Sequence, residues 1–128
     1  MAEGFGQYLN LPPRMRELKK RIQRERATDS EDLMIIIIDE LKEEALYPEV
    51  GKFYTFIYNA KTPGLKYDQH PLIACTSIEP WGFRGINFHW RKYRQYTWQE
   101  VAGKLHVVRY EELDEMLTIP YAKFLLNK

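Results

Sequence analysis

Three histidines, one aspartate and one cysteine are the side chains here that could carry metal or acid–base chemistry. His70, His89 and His106 are dispersed, and Asp68 stands close to His70 in Tyr67-Asp68-Gln69-His70-Pro71. A metal needs at least three converging ligands and hydrogen-bonded support behind them, and spacing alone does not supply that. Asp68 is expected to cap a turn, with His70 at its edge. Cys75 could be a nucleophile beside an activating histidine. Its setting, Leu72-Ile73-Ala74-Cys75, instead suits a core strand, where a free thiol behaves as a small hydrophobe. The sequence has no glycine-rich phosphate loop, serine elbow or His-Glu-x-x-His helix. The expectation is no catalytic residue, no metal and no cofactor.

Binding signals are stronger. Trp81, Phe83, Phe88, Trp90, Tyr93, Tyr96 and Trp98 alternate with Arg84, Arg91, Lys92 and Arg94. Aromatic faces stack on bases or fill protein pockets, and arginine serves both uses. Half of these rings could equally form the core, with the cations lying around it. A second basic set, Arg14, Arg16, Lys19, Lys20, Arg21, Arg24 and Arg26, surrounds a thin apolar stripe of Met15, Leu18 and Ile22. From these two sets the expected partner contacts are the seven cations of the first helix together with Trp81, Arg84, Trp90, Arg91, Lys92, Tyr93 and Arg94.

The elements that would position these residues follow from local patterns. Pro12-Pro13 suits a helix start, because the missing N–H is one the first turn leaves free. So thin a stripe predicts a helix that depends on docking, preceded by an extended arm over residues 1–11. Thr28 to Glu31 has capping-box spacing, with Asp29 and Ser30 as competing caps, and predicts a helix over 30–46 whose first half is buried. Pro48 and Gly51 would end it. Strands are expected at Gly51–Tyr58, Pro71–Cys75, Phe83–Trp90 and Leu105–Tyr110, with turns at Lys61–Gly64 and Glu79–Gly82. Thr97 to Glu100 again has capping-box spacing and predicts a short helix ending at Gly103. Glu111–Leu117 and Pro120–Asn127 suit two terminal helices.

Helices, then short strands, then helices indicate α+β. The expected architecture is a small curved antiparallel sheet or SH3-like barrel flanked by N-terminal and C-terminal helices. One domain spans 1–128: arm and basic helix (1–27), acidic and apolar helix (28–47), β-rich core (51–110) and C-terminal helices (111–128). Phe56, Leu72, Ile73, Ile86, Phe88 and Val107 would share a core, and Gly82 and Gly85 would sit where a side chain clashes or φ is positive.

The net charge of +1 gives the whole chain no strong pull on nucleic acid. Charge is nevertheless segregated: +4 over residues 1–28, −7 over 29–49, +5 over 50–96 and −1 over 97–128. Such blocks serve different partners or neutralise each other, within one chain or between copies. With one cysteine, no disulfide can form within the chain. The start, Met1-Ala2-Glu3-Gly4, lacks the features of a secretory signal, and Leu33–Ile38 is too short to span a bilayer. A reducing, cytosol-like compartment and no membrane partner are expected.

Tyr67-Asp68-x-x-Pro71-Leu72-Ile73, Gly82-Phe83-x-Gly85-Ile86-Asn87-Phe88-His89 and the preceding Gly51-Lys52-Phe53-Tyr54-Thr55-Phe56-x-Tyr58 resemble a pattern in small proteins of large contractile-tailed bacteriophages. The resemblance covers residues 51–92. It implies a small β-rich fold and a non-enzymatic virion component or assembly factor, made in the host cytoplasm. Other virion proteins would be its partners in a homo- or hetero-oligomer, with no catalytic residues carried over. The alternative is a nucleic-acid-binding protein acting at DNA ends or in packaging. On the first expectation the basic helix meets protein, and deleting residues 1–27 leaves a folded domain.

Overall fold

A computed structural model describes residues 11–58, 70–89, 91–119 and 121. Residues 1–10, Asp68, Trp90 and the helix expected after Pro120 lie outside these, apart from Tyr121. Helix α1 (Pro13–Glu25) opens with proline at its first position, and Arg16 N–H donates to Pro12 O at 2.9 Å. It closes with Arg26 in the left-handed region at φ 55°, where Arg26 N–H bonds Gln23 O and Ala27 N–H bonds Ile22 O. This paired closure usually employs glycine.

Helix α2 (Ser30–Glu40) is capped by Asp29, whose carboxylate accepts from Asp32 N–H at 2.9 Å and lies below the usual carboxylate range. The helix stops at Leu41, short of the expected residue 46. Tertiary bonds take over there: His106 Nδ1 bonds Leu41 O at 2.9 Å, and Val107 N–H donates to Glu43 O at 2.8 Å. The chain then becomes β1 (Glu44–Ala45), paired antiparallel to a later strand. Leu33, Met34, Ile36 and Ile37 are buried as expected, but Ile35 is 63% exposed.

The strands are β2 (Phe53–Tyr58), β3 (Leu72–Glu79), β4 (Gly82–Asn87), β5 (Lys92–Thr97) and β6 (Val101–Val108). They form one antiparallel sheet in the order β1-β6-β2-β3-β4-β5, which is not closed into a barrel. A 3₁₀ turn (Tyr110–Glu112) and helix α3 (Leu113–Leu117) follow. The α+β class, with helices at both ends of a small sheet, is as the sequence indicates.

Residues 98–100 do not form the expected helix. The capping-box exchange is present: Thr97 N–H lies 3.3 Å from Glu100 Oε1, and Glu100 N–H lies 3.3 Å from Thr97 Oγ1. It closes a β-turn instead, with Glu100 N–H on Thr97 O at 3.0 Å, because β6 is claimed by β2. This link also fixes the shape of the sheet. β5 and β6 are four positions apart, about 19 Å in a flat sheet. Four residue steps reach about 14 Å at most. The sheet must therefore roll, and the ring centroids of Phe56 on β2 and Tyr96 on β5 lie 5.4 Å apart.

Rolling creates two cores where one was expected. Tyr54, Phe56, Tyr58, Ile73, Cys75, Phe83, Tyr96 and Leu105 fill the concave face, with Val107 against them. Leu72 and Val108 on the other face pack under Met15, Leu18, Leu33, Met34, Ile36, Ile37 and Met116, with Phe88 alongside. Period-two alternation sends Leu72 and Ile73 to opposite cores. Ile86 is only half-buried and belongs to neither.

Met15 and Leu18 are completely buried in the helix-side core, so α1 is an integral layer of the fold. Each contributes about 1.5–3 kcal/mol through burial. The expectation that residues 1–27 can be removed is thereby overturned: a narrow stripe suffices when every member is fully buried.

Gly82 and Gly85 have ordinary φ and are required by close approach. A Cβ on Gly82 would lie 1.9 Å from Tyr96 O, and one on Gly85 would lie 2.8 Å from Ala74 O. Gly82→Ala should therefore destabilise the protein by about 1–3 kcal/mol, seen as a melting midpoint several degrees lower. An unchanged midpoint would mean that β4 and β5 do not approach this closely.

Candidate protein-contact surface

The side chains with chemical potential are placed structurally. Cys75 is buried, its thiol directed at Ser77 O at 3.8 Å, and burial pushes its pKa up, the wrong direction for a nucleophile. His106 is buried and bonded to Leu41 O, where it orders the start of β1. His70 is buried beside Pro71. His89 meets the Tyr121 ring edge-on at 5.3 Å, and both of its ring nitrogens are buried without a hydrogen-bond partner. No group of three His, Cys, Asp or Glu side chains among the described residues could hold a metal.

The basic helix divides. Arg14 forks onto Glu112, Nε to Oε2 at 2.8 Å and Nη2 to Oε1 at 2.6 Å, and also donates to Val107 O at 3.2 Å. Lys19 meets Glu115 at 2.5 Å. Arg21 joins Asp39, Glu25 and Glu40, and Asp39 first among them raises its pKa. The acidic block at 29–49 thus supplies part of its neutralisation inside the same chain. Arg16 donates to Leu11 O at 3.5 Å. Lys20, Arg24 and Arg26 are exposed and form no ion pair among the described residues. An apolar groove of about 590 Å³ lies beside them, with Ile22, Leu33 and Ile119 in its lining.

The aromatic and basic set converges on the β4–β5 hairpin. Asn87 and Lys92 close it through a four-residue loop, in which Arg91 N–H donates to Asn87 O at 2.7 Å and Arg91 adopts φ 59°. Asn87 Oδ1 accepts from His89 N–H at 2.9 Å, tightening the same turn. Phe83 and Tyr96 face the concave core. Trp98 donates Nε1–H to Pro80 O at 2.9 Å and touches the Tyr47 ring edge-on at 5.7 Å, across the opening between the two sheet edges. These rings are packing, as one expectation held.

On the other side of the hairpin Tyr93 is exposed. Cross-strand register aligns Val108, Phe53, Ala74, Ile86 and Tyr93 in one row across five strands. Their burial falls along the row, from Val108 in the core to Tyr93 at 70% exposed. Arg84 sits one pair along, opposite Gln95, with its guanidinium 5.5 Å from the Trp81 ring and 3.7 Å from Glu79. Residues 82–97 carry four cations and no carboxylate. Of the expected contacts, Trp81, Arg84, Arg91, Lys92, Tyr93 and Arg94 are thus gathered on one hairpin. The sequence had no sign that Ile86 turns outward with Tyr93, or that Leu46, Tyr47 and Val50 after β1 are exposed. A cleft of about 240 Å³ between Leu46, Tyr47 and Trp98 adjoins the opening.

Buried polar groups on Thr55, His89 and Tyr121 lack a well-directed hydrogen bond among the described residues. Burial lowers the His89 pKa to about 4 and raises that of Tyr121. A histidine with a depressed folded pKa binds fewer protons than in the unfolded chain. Its contribution is intact above about pH 6.5 and is lost as pH falls towards 4, by up to about 3 kcal/mol. His89→Phe keeps the ring contact and should flatten the decline in stability between pH 6.5 and 4, measured by urea denaturation. Equal slopes in the two proteins would show that His89 is solvated.

No protein-family model, curated protein or solved structure matches this chain.

Proposed function

We propose that this chain is a non-enzymatic structural or assembly protein that works through protein–protein contacts. The observation that carries the reading is the β4–β5 hairpin, where, among the described residues, an apolar row leaves the core and ends at exposed Tyr93 next to Arg84 on the same face. Aromatic and arginine side chains at the centre of a patch are the composition that anchors protein interfaces. The setting proposed is a tailed-phage virion assembled in the host cytoplasm, as the pattern over residues 51–92 implies. Nucleic acid is the less favoured partner, because Arg14, Lys19 and Arg21 of the basic helix are engaged by carboxylates within the chain.

Tyr93→Glu puts a charge at the end of the apolar row without disturbing a buried group, so folding stability should change by no more than about 0.5 kcal/mol. Mass spectrometry of purified particles should find the wild-type chain at fixed copy number and the variant depleted at least tenfold. Particles lacking the wild-type chain, or tight salt-sensitive binding of duplex DNA by the isolated protein, would contradict the proposal.

A further inference from the structure

We infer that the partner at this surface is a second copy of the chain, related by a two-fold axis that lays α3 of each copy on the β4–β5 hairpin of the other. This rests on the protein-contact reading above and names the partner.

Shape comes first. Among the described residues, the helices stand roughly 10 Å high over β6, β2 and β3 and give way to a lower floor at Ile86 and Tyr93. Such a step fits its own copy turned over, because each raised half fills the other's lowered half. The raised half carries exposed apolar groups of its own. Tyr110 is 77% exposed, and its ring lies 6.1 Å from that of Phe53, in the row that runs on to Tyr93. On α3, Glu115 reaches α1 through Lys19, whereas Leu117 lies two residues on, at the opposite side of the helix, and is 42% exposed. The unpaired cations of α1 are thus on the Glu115 side of α3.

Charge then selects a second copy. Residues 110–117 hold four carboxylates and no cation. Arg14 and Lys19 answer Glu112 and Glu115, which leaves Glu111 and Asp114, both exposed, and a balance of −2. Residues 79–100 hold Arg84, Arg91, Lys92 and Arg94 against Glu79 and Glu100, a balance of +2 however these six pair among themselves. The two-fold sets each end against its opposite, and does so twice. Two six-residue strands make a floor of roughly 10 by 20 Å. With an equal share from α3 and its 3₁₀ turn, each copy would bury roughly 500 Å², the low end for a specific interface, so the dimer belongs to the micromolar range.

Sedimentation velocity of the full-length protein over a concentration series tests this. The wild type should pass from monomer to dimer at micromolar concentration, and Tyr93→Glu should weaken the dimer at least tenfold. Arg84→Glu with Arg91→Glu should do the same, as should Glu111→Lys with Asp114→Lys, because each pair of changes sets like charges together. Melting midpoints should stay in place, since Arg84 gives up only an exposed pair with Glu79. An equimolar mixture of the two double variants should recover a dimer of wild-type strength, because both contacts then join opposite charges. A monomer up to millimolar concentration, a dimer indifferent to the reversals, or a mixture that fails to recover would overturn the inference. If a double variant fails to fold, concentration-dependent amide exchange of the wild type decides. Slowing at Tyr93 and within 110–117 supports the dimer, and slowing confined elsewhere contradicts it. Particles that lose Tyr93→Glu although the chain is always monomeric would sink this inference and leave the protein-contact reading standing. A dimer of a chain absent from particles would do the reverse.

Discussion

Glu112 is 1% exposed, and a carboxylate so placed is tolerable only if its charge is answered. Arg14 answers it from the opposite end of the chain with two parallel bonds, while Arg109 N–H donates to the same carboxylate at 2.8 Å. The pair joins the first helix to the end of β6 and to the turn that opens the C-terminal segment. Glu112 and, secondarily, Glu43 hold the Arg14 pKa above its usual value despite partial burial. Met15 and Leu18 then follow into the core beside Met116, so the helix-side layer exists because N- and C-terminal elements are clamped together.

That clamp decides which surfaces remain for other molecules. Helices cover the outer face over β6, β2 and β3, and the roll of the sheet covers the concave face. β1 occupies one edge of the sheet, although it is only two residues long. Among the described residues the β4–β5 hairpin lies beyond the helices, Tyr93 on its outer face is exposed, and β5 pairs only with β4. The same roll requires glycine at positions 82 and 85, where strands approach too closely for a side chain.

Much of the fold was legible because local and tertiary preferences agree. Pro13 starts α1, Asp29 caps α2, and the β-rich middle is antiparallel. Where they conflict, tertiary pairing prevailed. Leu41 leaves the helix because β6 takes the neighbouring carbonyls, and Thr97–Glu100 closes a turn because β2 claims the residues that follow. A capping box specifies an exchange between side chain and backbone, and a β-turn satisfies it as well as a helix does. The grouping of Trp81, Arg84, Arg91 and Tyr93 was legible by type, since they do share one hairpin. The destination of Arg14 was not, because its partner lies 98 positions away and no local pattern encodes that separation.

Arg14 and Glu112 build the basic helix into the fold. Denaturation of Arg14→Met, Glu112→Leu and the double variant tests it most directly. Each single change leaves one charge stranded and should cost about 3 kcal/mol, while the double variant, apolar on both sides, should recover most of that loss. Single variants within about 0.5 kcal/mol of wild type, with no coupling in the double, would contradict it and return the first helix to the role of a free arm.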